Sequence, residues 1–129
     1  MASTANKGSR APGLTALSGK AKQTIDAPDG GRVGLAITEL SHLGKINLRG
    51  SEDILPGVKK HTGCKALPAN NRTVTVGERI LVWLAPDEFL LLCEAGGEAG
   101  LHSQLILDLG KVHAAVTNVT DALCAMSLR

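Results

Sequence analysis

The clearest alternation of apolar and polar residues lies in the stretch 37–50, ITELSHLGKINLRG. Within residues 44–49, Ile46 and Leu48 alternate with polar side chains, and this period of two predicts a strand that is buried on one face. Residues 33–40 alternate in the same way and predict a preceding strand. A polar Ser-His pair separates the two strands and predicts a turn.

Two segments have the apolar spacing of amphipathic helices. The first follows Ser51, a good N-cap residue, and ends at Gly63. Pro56 lies in its first two turns and predicts a kink or a late start. The second helix is predicted over residues 98–109, where leucines and one isoleucine recur at i, i+4, i+5 and i+8.

The other predicted strands form a hairpin with a short strand before it and at least one strand after it. Their ranges are 72–76, 79–85, 89–93 and 112–119, with a further strand beginning in 121–129. Pro86 suits the first corner of a type I turn within the hairpin. The order strand, helix, hairpin, helix, strand predicts an α+β fold with ferredoxin-like split βαβ units. In this fold two helices cover one face of an antiparallel sheet.

The amino-acid composition indicates the class of protein but says little about its chemistry. The chain has 129 residues, 43% of them hydrophobic, with one Trp, one Phe and no Tyr. An aliphatic core is therefore expected, and the shortage of stacking side chains argues against single-stranded nucleic acid as a partner. No stretch of about 20 apolar residues predicts a membrane span.

The N-terminal segment differs from the rest in charge. Residues 1–25 hold four basic side chains and no acid. With few apolar residues, residues 1–28 are predicted to be a disordered basic tail rather than an organelle transit peptide, and 29–129 to be the folded domain. The odd number of cysteines, Cys64, Cys93 and Cys124, predicts reduced thiols and a cytoplasmic protein. The last two lie in apolar runs that predict burial.

The histidines give no catalytic or metal-binding pattern. Ser41 and His42 could pair as nucleophile and base, but adjacent residues rarely point toward one substrate, so a polar turn is favoured. His61, His102 and His113 are scattered over predicted elements, which favours solvated or capping roles over metal ligation.

The remaining candidates also have structural explanations. The glycine-rich stretch 96–100 precedes a helix but lacks the spacing of a dinucleotide or Walker motif, so a hairpin exit is favoured over an anion site. Asp87 and Glu88 are predicted to be solvated turn carboxylates. Trp83 on its strand is predicted to be a core or interface residue. No catalytic, cofactor-binding or metal-binding residue is predicted.

A faint repeat joins residues 38–49 (TELSHLGKINLR) to residues 117–129 (TNVTDALCAMSLR). Both copies combine a predicted strand, a polar turn and an apolar segment ending in Leu-Arg. The first copy continues into a helix. The repeat therefore predicts that the sequence stops where another β-to-helix unit begins and that the domain is incomplete at its C-terminus.

Three stretches together resemble the gamma subunit of heterotetrameric sarcosine oxidase: 37–55, 80–94 (ILVWLAPDEFLLLCE) and 116–129. The first is also similar to a segment near the start of aminomethyltransferases and related folate-binding proteins. Nine residues carry the family motifs as structural positions. They are Ser41, His42, Gly44, Lys45, Gly50, Trp83, Pro86, Asp87 and Glu88.

The resemblance implies an accessory, non-catalytic subunit of a hetero-oligomeric oxidoreductase in sarcosine catabolism and one-carbon metabolism. In that family the complex demethylates sarcosine to glycine, giving hydrogen peroxide and methylenetetrahydrofolate. FAD, FMN, NAD and tetrahydrofolate belong to the partner subunits, which are the alpha, beta and delta subunits. Two alternatives remain: a stand-alone folate-binding module of the aminomethyltransferase type, and a generic protein-interaction domain.

Overall fold

The computed structural model describes residues 22–26 and 33–129. This part of the chain forms eight strands, two α-helices and one short 3₁₀ turn. The strands are β1 (Lys22–Asp26), β2 (Val33–Glu39), β3 (Gly44–Gly50), β4 (Thr73–Val76), β5 (Arg79–Ala85), β6 (Glu88–Cys93), β7 (Ala114–Asn118) and β8 (Met126–Leu128). The helices are α1 (Leu55–Thr62) and α2 (Glu98–Leu109). The chain divides into a larger unit, Gly44–Thr120, and a smaller unit that contains β1, β2 and β8.

The larger unit is built on a five-stranded antiparallel sheet with the order β4-β5-β6-β3-β7. Apart from the edge strand β4, the succession β3-α1-β5-β6-α2-β7 is that of two split βαβ units. The predicted ferredoxin-like α+β arrangement is therefore confirmed for this unit.

One aliphatic cluster joins both helices to the same face of this sheet. Ile46 and Leu48 of β3 are 0% exposed, as their alternation predicts. The other buried members come from the first helical segment, the hairpin and α2, and they are Ile54, Val58, Cys64, Leu81, Phe89, Leu91, Cys93, Leu101, Leu105 and Leu109. Phe89 is the only aromatic residue among them, so aliphatic contacts dominate the core, as the composition predicts.

The start of α1 is delayed by one turn. Ser51 makes no side-chain capping hydrogen bond, and residues 52–54 form a 3₁₀ turn before the α-helix begins. Pro56 then lies in the first positions of α1, where its missing N–H leaves no hydrogen bond unmade. The predicted late start is confirmed, whereas the predicted capping by Ser51 is wrong. Gly63 ends the helix with a φ of 76°, as predicted.

The hairpin between β5 and β6 differs in its turn. Asp87 follows Pro86 and has a φ of 58°. With Pro86 at the first corner, a positive φ at the second corner belongs to a type II turn, so the predicted type I turn is wrong. Aspartate is among the few residues other than glycine that tolerate this backbone region.

The smaller unit contains an antiparallel sheet with the order β1-β2-β8. The strand predicted to begin within residues 121–129 is confirmed as β8. Most of the predicted N-terminal tail lies outside the described residues. The exception is residues 22–26, which form β1, so the prediction of disorder is wrong at those five positions.

The faint sequence repeat has a counterpart in strand pairing. In the smaller unit β2 pairs with β8, so that Ile37 lies opposite Leu128. In the larger unit β7 pairs with β3, and the corresponding residues, Val116 and Leu48, lie opposite each other. The two adjacent pairs correspond in the same way, and they are Thr38–Ser127 with Thr117–Asn47 and Glu39–Met126 with Asn118–Ile46. The repeat is therefore a repeat of structure as well as of sequence.

Candidate functional site

A cleft of about 540 Å³ opens beside the β5–β6 turn in the larger unit. It brings together Gly50, Pro86, Asp87 and Glu88, four of the nine motif residues, from two separate stretches of sequence. The remaining lining residues are Arg49, Ser51, His113, Ala114 and Ala115. The backbone N–H of Gly50 donates to the carbonyl oxygen of Asp87 at 2.9 Å. This bond fixes the hairpin turn against the end of β3.

Glu88 is the most heavily engaged side chain of the cleft. Its Oε1 accepts hydrogen bonds from Nδ2 of Asn47 at 3.0 Å and from Nη2 of Arg49 at 3.4 Å. Arg49 and Glu88 lie directly opposite each other on neighbouring strands, which places their charges together. The prediction that Glu88 is merely solvated is therefore wrong, whereas Asp87 is exposed as predicted.

The chemistry available in this cleft is limited. The guanidinium of Arg49 in this cleft is paired with the carboxylate of Glu88, and Asp87 contributes a second carboxylate. Because the acids outnumber this cation, the lining disfavours the phosphate groups of a flavin or a dinucleotide. His113 is exposed at the rim. The arrangement joins β3, the hairpin turn and β7, and it is better suited to holding these elements than to transferring protons or electrons.

A second cleft, of about 470 Å³, also includes Pro86 and Asp87 of this turn in its lining. Trp83 and Phe89 line it together with Leu67 and Pro68 from the loop after α1. Trp83 is partly buried and packs against the hydrophobic core. The sequence predicts a core or interface role for Trp83, and its packing agrees with the first of these.

Two motif glycines are required by close packing. A Cβ atom at Gly44 would lie 2.5 Å from Sγ of Cys93, and one at Gly50 would lie 2.4 Å from Cγ2 of Ile54. Carbon atoms in contact normally stand about 3.5–4.0 Å apart. The Gly-Lys-Ile and Arg-Gly parts of the motif thus mark positions where β3 has no room for a side chain.

Lys45 occupies the predicted polar face of β3 but is only 1% exposed. Its backbone is also engaged. Its N–H donates to Oγ1 of Thr120 at 2.9 Å, and its carbonyl accepts from the N–H of Val119 at 2.9 Å. The strand is therefore covered on both faces at this position, and the one-sided burial predicted for β3 is wrong here.

Ser41 and His42 lie in the smaller unit and do not belong to the cleft. The Ser41 hydroxyl donates to Oε1 of Glu39 at 2.8 Å. In the larger unit the Thr120 hydroxyl donates to Oδ1 of Asn118 at 2.7 Å. Ser41 and Thr120 are corresponding positions of the repeat, so this hydrogen bond belongs to a recurring turn. The predicted turn role of Ser41 agrees with it, and His42 is exposed.

The cysteines are in their free thiol form, as predicted. Cys93 is buried, and burial raises the pKa of its thiol to about 11, with a further contribution from the nearby carboxylate of Glu94. Cys124 is exposed and lies 2.9 Å from the hydroxyl oxygen of Ser41. The predicted burial of Cys124 is wrong because its apolar run is a loop leading to an edge strand.

His61 joins the two helices. Its Nε2 is hydrogen-bonded to Asp108 of α2, and Nζ of Lys60 donates to the same carboxylate at 3.1 Å. The His61 hydrogen bond, followed by that of Lys60, holds the pKa of Asp108 below its usual value. The sequence predicts a solvated or capping role for His61, and because its side chain is only 11% exposed the solvated alternative is wrong. His102 contacts the carbonyl oxygen of Val116 at 3.2 Å.

Sequence reasoning missed a second polar cluster, which is centred on Arg79. Its guanidinium donates to both carboxylate oxygens of Glu94, at 3.0 and 3.3 Å, and to the carbonyl oxygen of His61. The hydrogen bond from Arg79 lowers the pKa of Glu94. Counting outward from the Pro-Asp turn places Arg79 and Glu94 near each other across the hairpin, and this signal could have found the pair.

The glycine-rich stretch 96–100 does not form an anion site. Glu94 lies so close to Gly97 that its Oε1 would stand 2.7 Å from a Cβ there. An ionised carboxylate at the start of α2 disfavours a bound phosphate. The described residues also contain no cluster of three or more side chains that could hold a metal ion. None of their helices is long and apolar enough to cross a membrane.

The fold and these clusters define a small α+β protein whose polar groups mostly join one structural element to another. Residues 36–129 match the sarcosine oxidase gamma subunit family. The chain belongs to this family, and the resemblance stated from the sequence is confirmed. No curated protein sequence matches the chain significantly.

Among solved structures, a chain of the heterotetrameric sarcosine oxidase from Corynebacterium sp. U-96, in complex with pyrrole 2-carboxylate, has a similar fold. The TM-score is 0.65 at 23% sequence identity. The match covers 89% of the present chain and 56% of that chain. The present chain thus spans little more than half the length of this relative, and at this identity the likeness establishes the fold.

Proposed function

We propose that this chain is an accessory, non-catalytic subunit of a heterotetrameric sarcosine oxidase in the cytoplasm. It packs against the alpha, beta and delta subunits of the complex. The complex oxidatively demethylates sarcosine to glycine, with hydrogen peroxide and methylenetetrahydrofolate as products. The observation that carries the proposal is the family match over residues 36–129.

The chemistry of the described residues supports a structural role. Arg49 is paired with Glu88, Arg79 with Glu94, and His61 with Asp108. The first and third pairs connect two secondary-structure elements, the second connects β5 to the segment that follows β6, and each pair leaves its members less available to a substrate. General acid-base or nucleophilic catalysis needs groups that reach a reacting atom in a shared cavity.

The residues that line the 540 Å³ cleft also indicate which cofactors this chain is unsuited to bind. Flavin and nicotinamide nucleotides carry phosphates, which its carboxylates disfavour. We therefore assign FAD, FMN and NAD to the partner subunits, and we assign tetrahydrofolate to them on the resemblance to the family alone. In this assignment the chain contributes to assembly and stability, and the partners supply the redox chemistry.

Co-expression with the larger subunits of the complex tests this proposal. We expect the chain to co-elute with them in size-exclusion chromatography, and we expect the purified chain alone to form no hydrogen peroxide from sarcosine. Ser41→Ala and His42→Ala variants of the assembled complex are expected to keep the wild-type rate of peroxide formation.

Three results would contradict the proposal. The chain could fail to co-elute with the larger subunits. It could oxidise sarcosine alone. The His42→Ala complex could assemble normally yet lose turnover, which would make this chain a contributor to catalysis. A calorimetric titration of the chain with tetrahydrofolate separates the folate-binding alternative, because saturable heat would favour that function.

A further inference from the structure

The 470 Å³ cleft beside the β5–β6 turn has an aromatic wall. Trp83 and Phe89 are the only two aromatic residues of the chain, and both line this cleft. They lie directly opposite each other on β5 and β6, so their side chains share one face of the sheet. Phe89 is buried and Trp83 packs against the core. Packing within the protein therefore holds both aromatic side chains in the wall.

The charged side chains that line the cleft are both acidic. They are Glu52, from the 3₁₀ turn before α1, and Asp87, from the β5–β6 turn. Neither carboxylate forms an ion pair within the described part of the chain. No lysine, arginine or histidine of the described residues belongs to the lining. The lining therefore carries a net negative charge, which attracts a cation.

Backbone hydrogen bonds hold the walls of this cleft in place. The N–H of Trp83 donates to the carbonyl oxygen of Arg72 at 3.1 Å, and this bond joins β5 to the end of the loop that follows α1. Within that loop the N–H of Arg72 donates to the carbonyl oxygen of Ala69 at 2.9 Å and closes a turn. The carbonyl oxygen of Asp87 accepts from the N–H of Gly50 at 2.9 Å. A site whose walls are held in this way needs little ordering when a ligand binds.

Aromatic rings beside carboxylates favour an organic ammonium ion over other ligands. The face of an aromatic ring attracts a cation, and alkyl groups on the nitrogen also gain from apolar contact with Leu67, Pro68 and Pro86. An unsubstituted ammonium group is strongly hydrated, so it is harder to transfer into such a cleft. A metal ion is disfavoured, because the described residues contain no group of three or more side chains that could hold one. The two carboxylates disfavour an anion or a ligand that carries a carboxylate of its own.

From this lining we propose that the 470 Å³ cleft binds a small alkylated ammonium ion. Trp83 and Phe89 supply the aromatic wall, and the carboxylates of Glu52 and Asp87 supply the opposite charge. The ligand is a cation without a carboxylate, so it is neither an amino acid nor a nucleotide. The volume is within the range of about 300–1,000 Å³ that is common for small-molecule sites. The inference rests on this cleft and does not depend on the accessory role in a complex.

The fluorescence of Trp83, the only tryptophan, reports binding directly. The probe is tetramethylammonium chloride, titrated into the full 129-residue chain with sodium chloride at equal concentration as the reference. We expect a saturable change in fluorescence with a millimolar Kd, and intermolecular nuclear Overhauser effects between the methyl protons of the ion and the indole ring. Three comparison ligands should each bind about threefold or more weakly. They are tert-butanol, which is neutral, glycine betaine, which adds a carboxylate, and n-butylammonium, which has the ammonium group of a lysine side chain.

Variants of the two carboxylates locate the site. Glu52→Gln and Asp87→Asn should each raise the Kd for tetramethylammonium by about threefold or more. Asp53→Asn is the matched control, because it removes the same charge from the next residue of the 3₁₀ turn, which does not line the cleft. It should change the Kd by less than about twofold. All three residues are exposed, and asparagine tolerates the φ of 58° at position 87, so the variants are expected to fold.

The proposal is overturned if tetramethylammonium gives no saturable change beyond that of sodium chloride, or if tert-butanol or glycine betaine binds as tightly. Equally tight binding of n-butylammonium would also overturn it, because the cleft would then suit a lysine side chain. Equal effects of Asp53→Asn and Glu52→Gln would reduce the binding to general attraction by surface charge. An effect of Asp87→Asn without one of Glu52→Gln would place the ion in the 540 Å³ cleft, which Asp87 also lines, and would overturn the assignment.

Discussion

Gly50→Ala tests whether the motif glycine at the end of β3 is required by packing. The new Cβ would lie 2.4 Å from Cγ2 of Ile54, which is more than 1 Å inside an ordinary carbon contact. Ile54 is 0% exposed and its β-branched side chain has little rotamer freedom, so the strand or the 3₁₀ turn must move. Overpacking of this kind costs about 1–3 kcal/mol, and the reduced freedom of the unfolded chain returns about 0.4–1 kcal/mol. We expect a net loss of about 1–2 kcal/mol in the free energy of unfolding.

Urea unfolding followed by the fluorescence of Trp83, the only tryptophan, measures this loss. A double-mutant cycle with Ile54→Ala isolates the clash, because that change removes the atom that the new methyl group would meet. Ile54→Ala alone should cost about 2–5 kcal/mol. The double variant should be less destabilised than the sum of the two single changes by about 1 kcal/mol or more.

Gly100→Ala is the matched control. Gly100 lies in α2 and has open space where a Cβ would be, so alanine should stabilise the protein by about 0.5–1 kcal/mol. The packing explanation would be refuted if Gly50→Ala were as harmless as Gly100→Ala, or if Gly50→Ala and Ile54→Ala were additive.

Three further predictions follow from burial and charge. Leu48→Asp should lower the free energy of unfolding by several kcal/mol, because it buries a carboxylate in the core. Leu107→Asp, at an exposed position, should leave the urea midpoint of unfolding nearly unchanged. Equal urea midpoints for the two variants would contradict the assignment of the buried face. Glu94 has a lowered pKa in the folded state, so its ion pair stabilises the protein fully above the ordinary pKa of 4.5, and this stabilisation is lost as the pH falls below that value. Glu94→Gln should therefore weaken the fall in the free energy of unfolding at acidic pH. An unchanged fall would count against the ion pair. With a thiol-specific reagent at pH 8, the exposed Cys124 should react first. Cys93 is buried and its thiol has a pKa of about 11, so it should react only when the protein unfolds. Simultaneous labelling of both thiols would show that the larger unit opens readily.

Local periodicity predicted the elements of the larger unit closely. The predicted bounds of β5 and α2 agree with the structure, because each has a strong apolar pattern and a clear break at its ends. The ferredoxin-like arrangement followed from the succession of elements, since short connections and split βαβ units leave few alternatives. The faint repeat predicted an equivalence that the pairing of β2 with β8 confirms.

The errors arose where distant residues decide the environment. Lys45 has the pattern of an exposed strand residue, and its burial depends on what covers the second face of β3. Cys124 has apolar neighbours in sequence but lies in a loop beside an edge strand, so it is exposed. The contacts of Glu88 and His61 join elements far apart in the chain, and a single sequence gives no signal for such partners.

The pairing of β2 with β8 also has a consequence for the order in which the protein folds. The β5–β6 hairpin closes a two-residue turn, so it can form soon after its residues are synthesised. Strand β2, by contrast, must wait for residues at the far end of the described chain before its second neighbour arrives. Closing so long a loop is entropically unfavourable, and contacts of this kind slow folding. We therefore expect the hairpin to acquire native structure early and the sheet of the smaller unit to close later, so nascent chains expose the unpaired edge of β2 until residues 126–128 are free to pair with it.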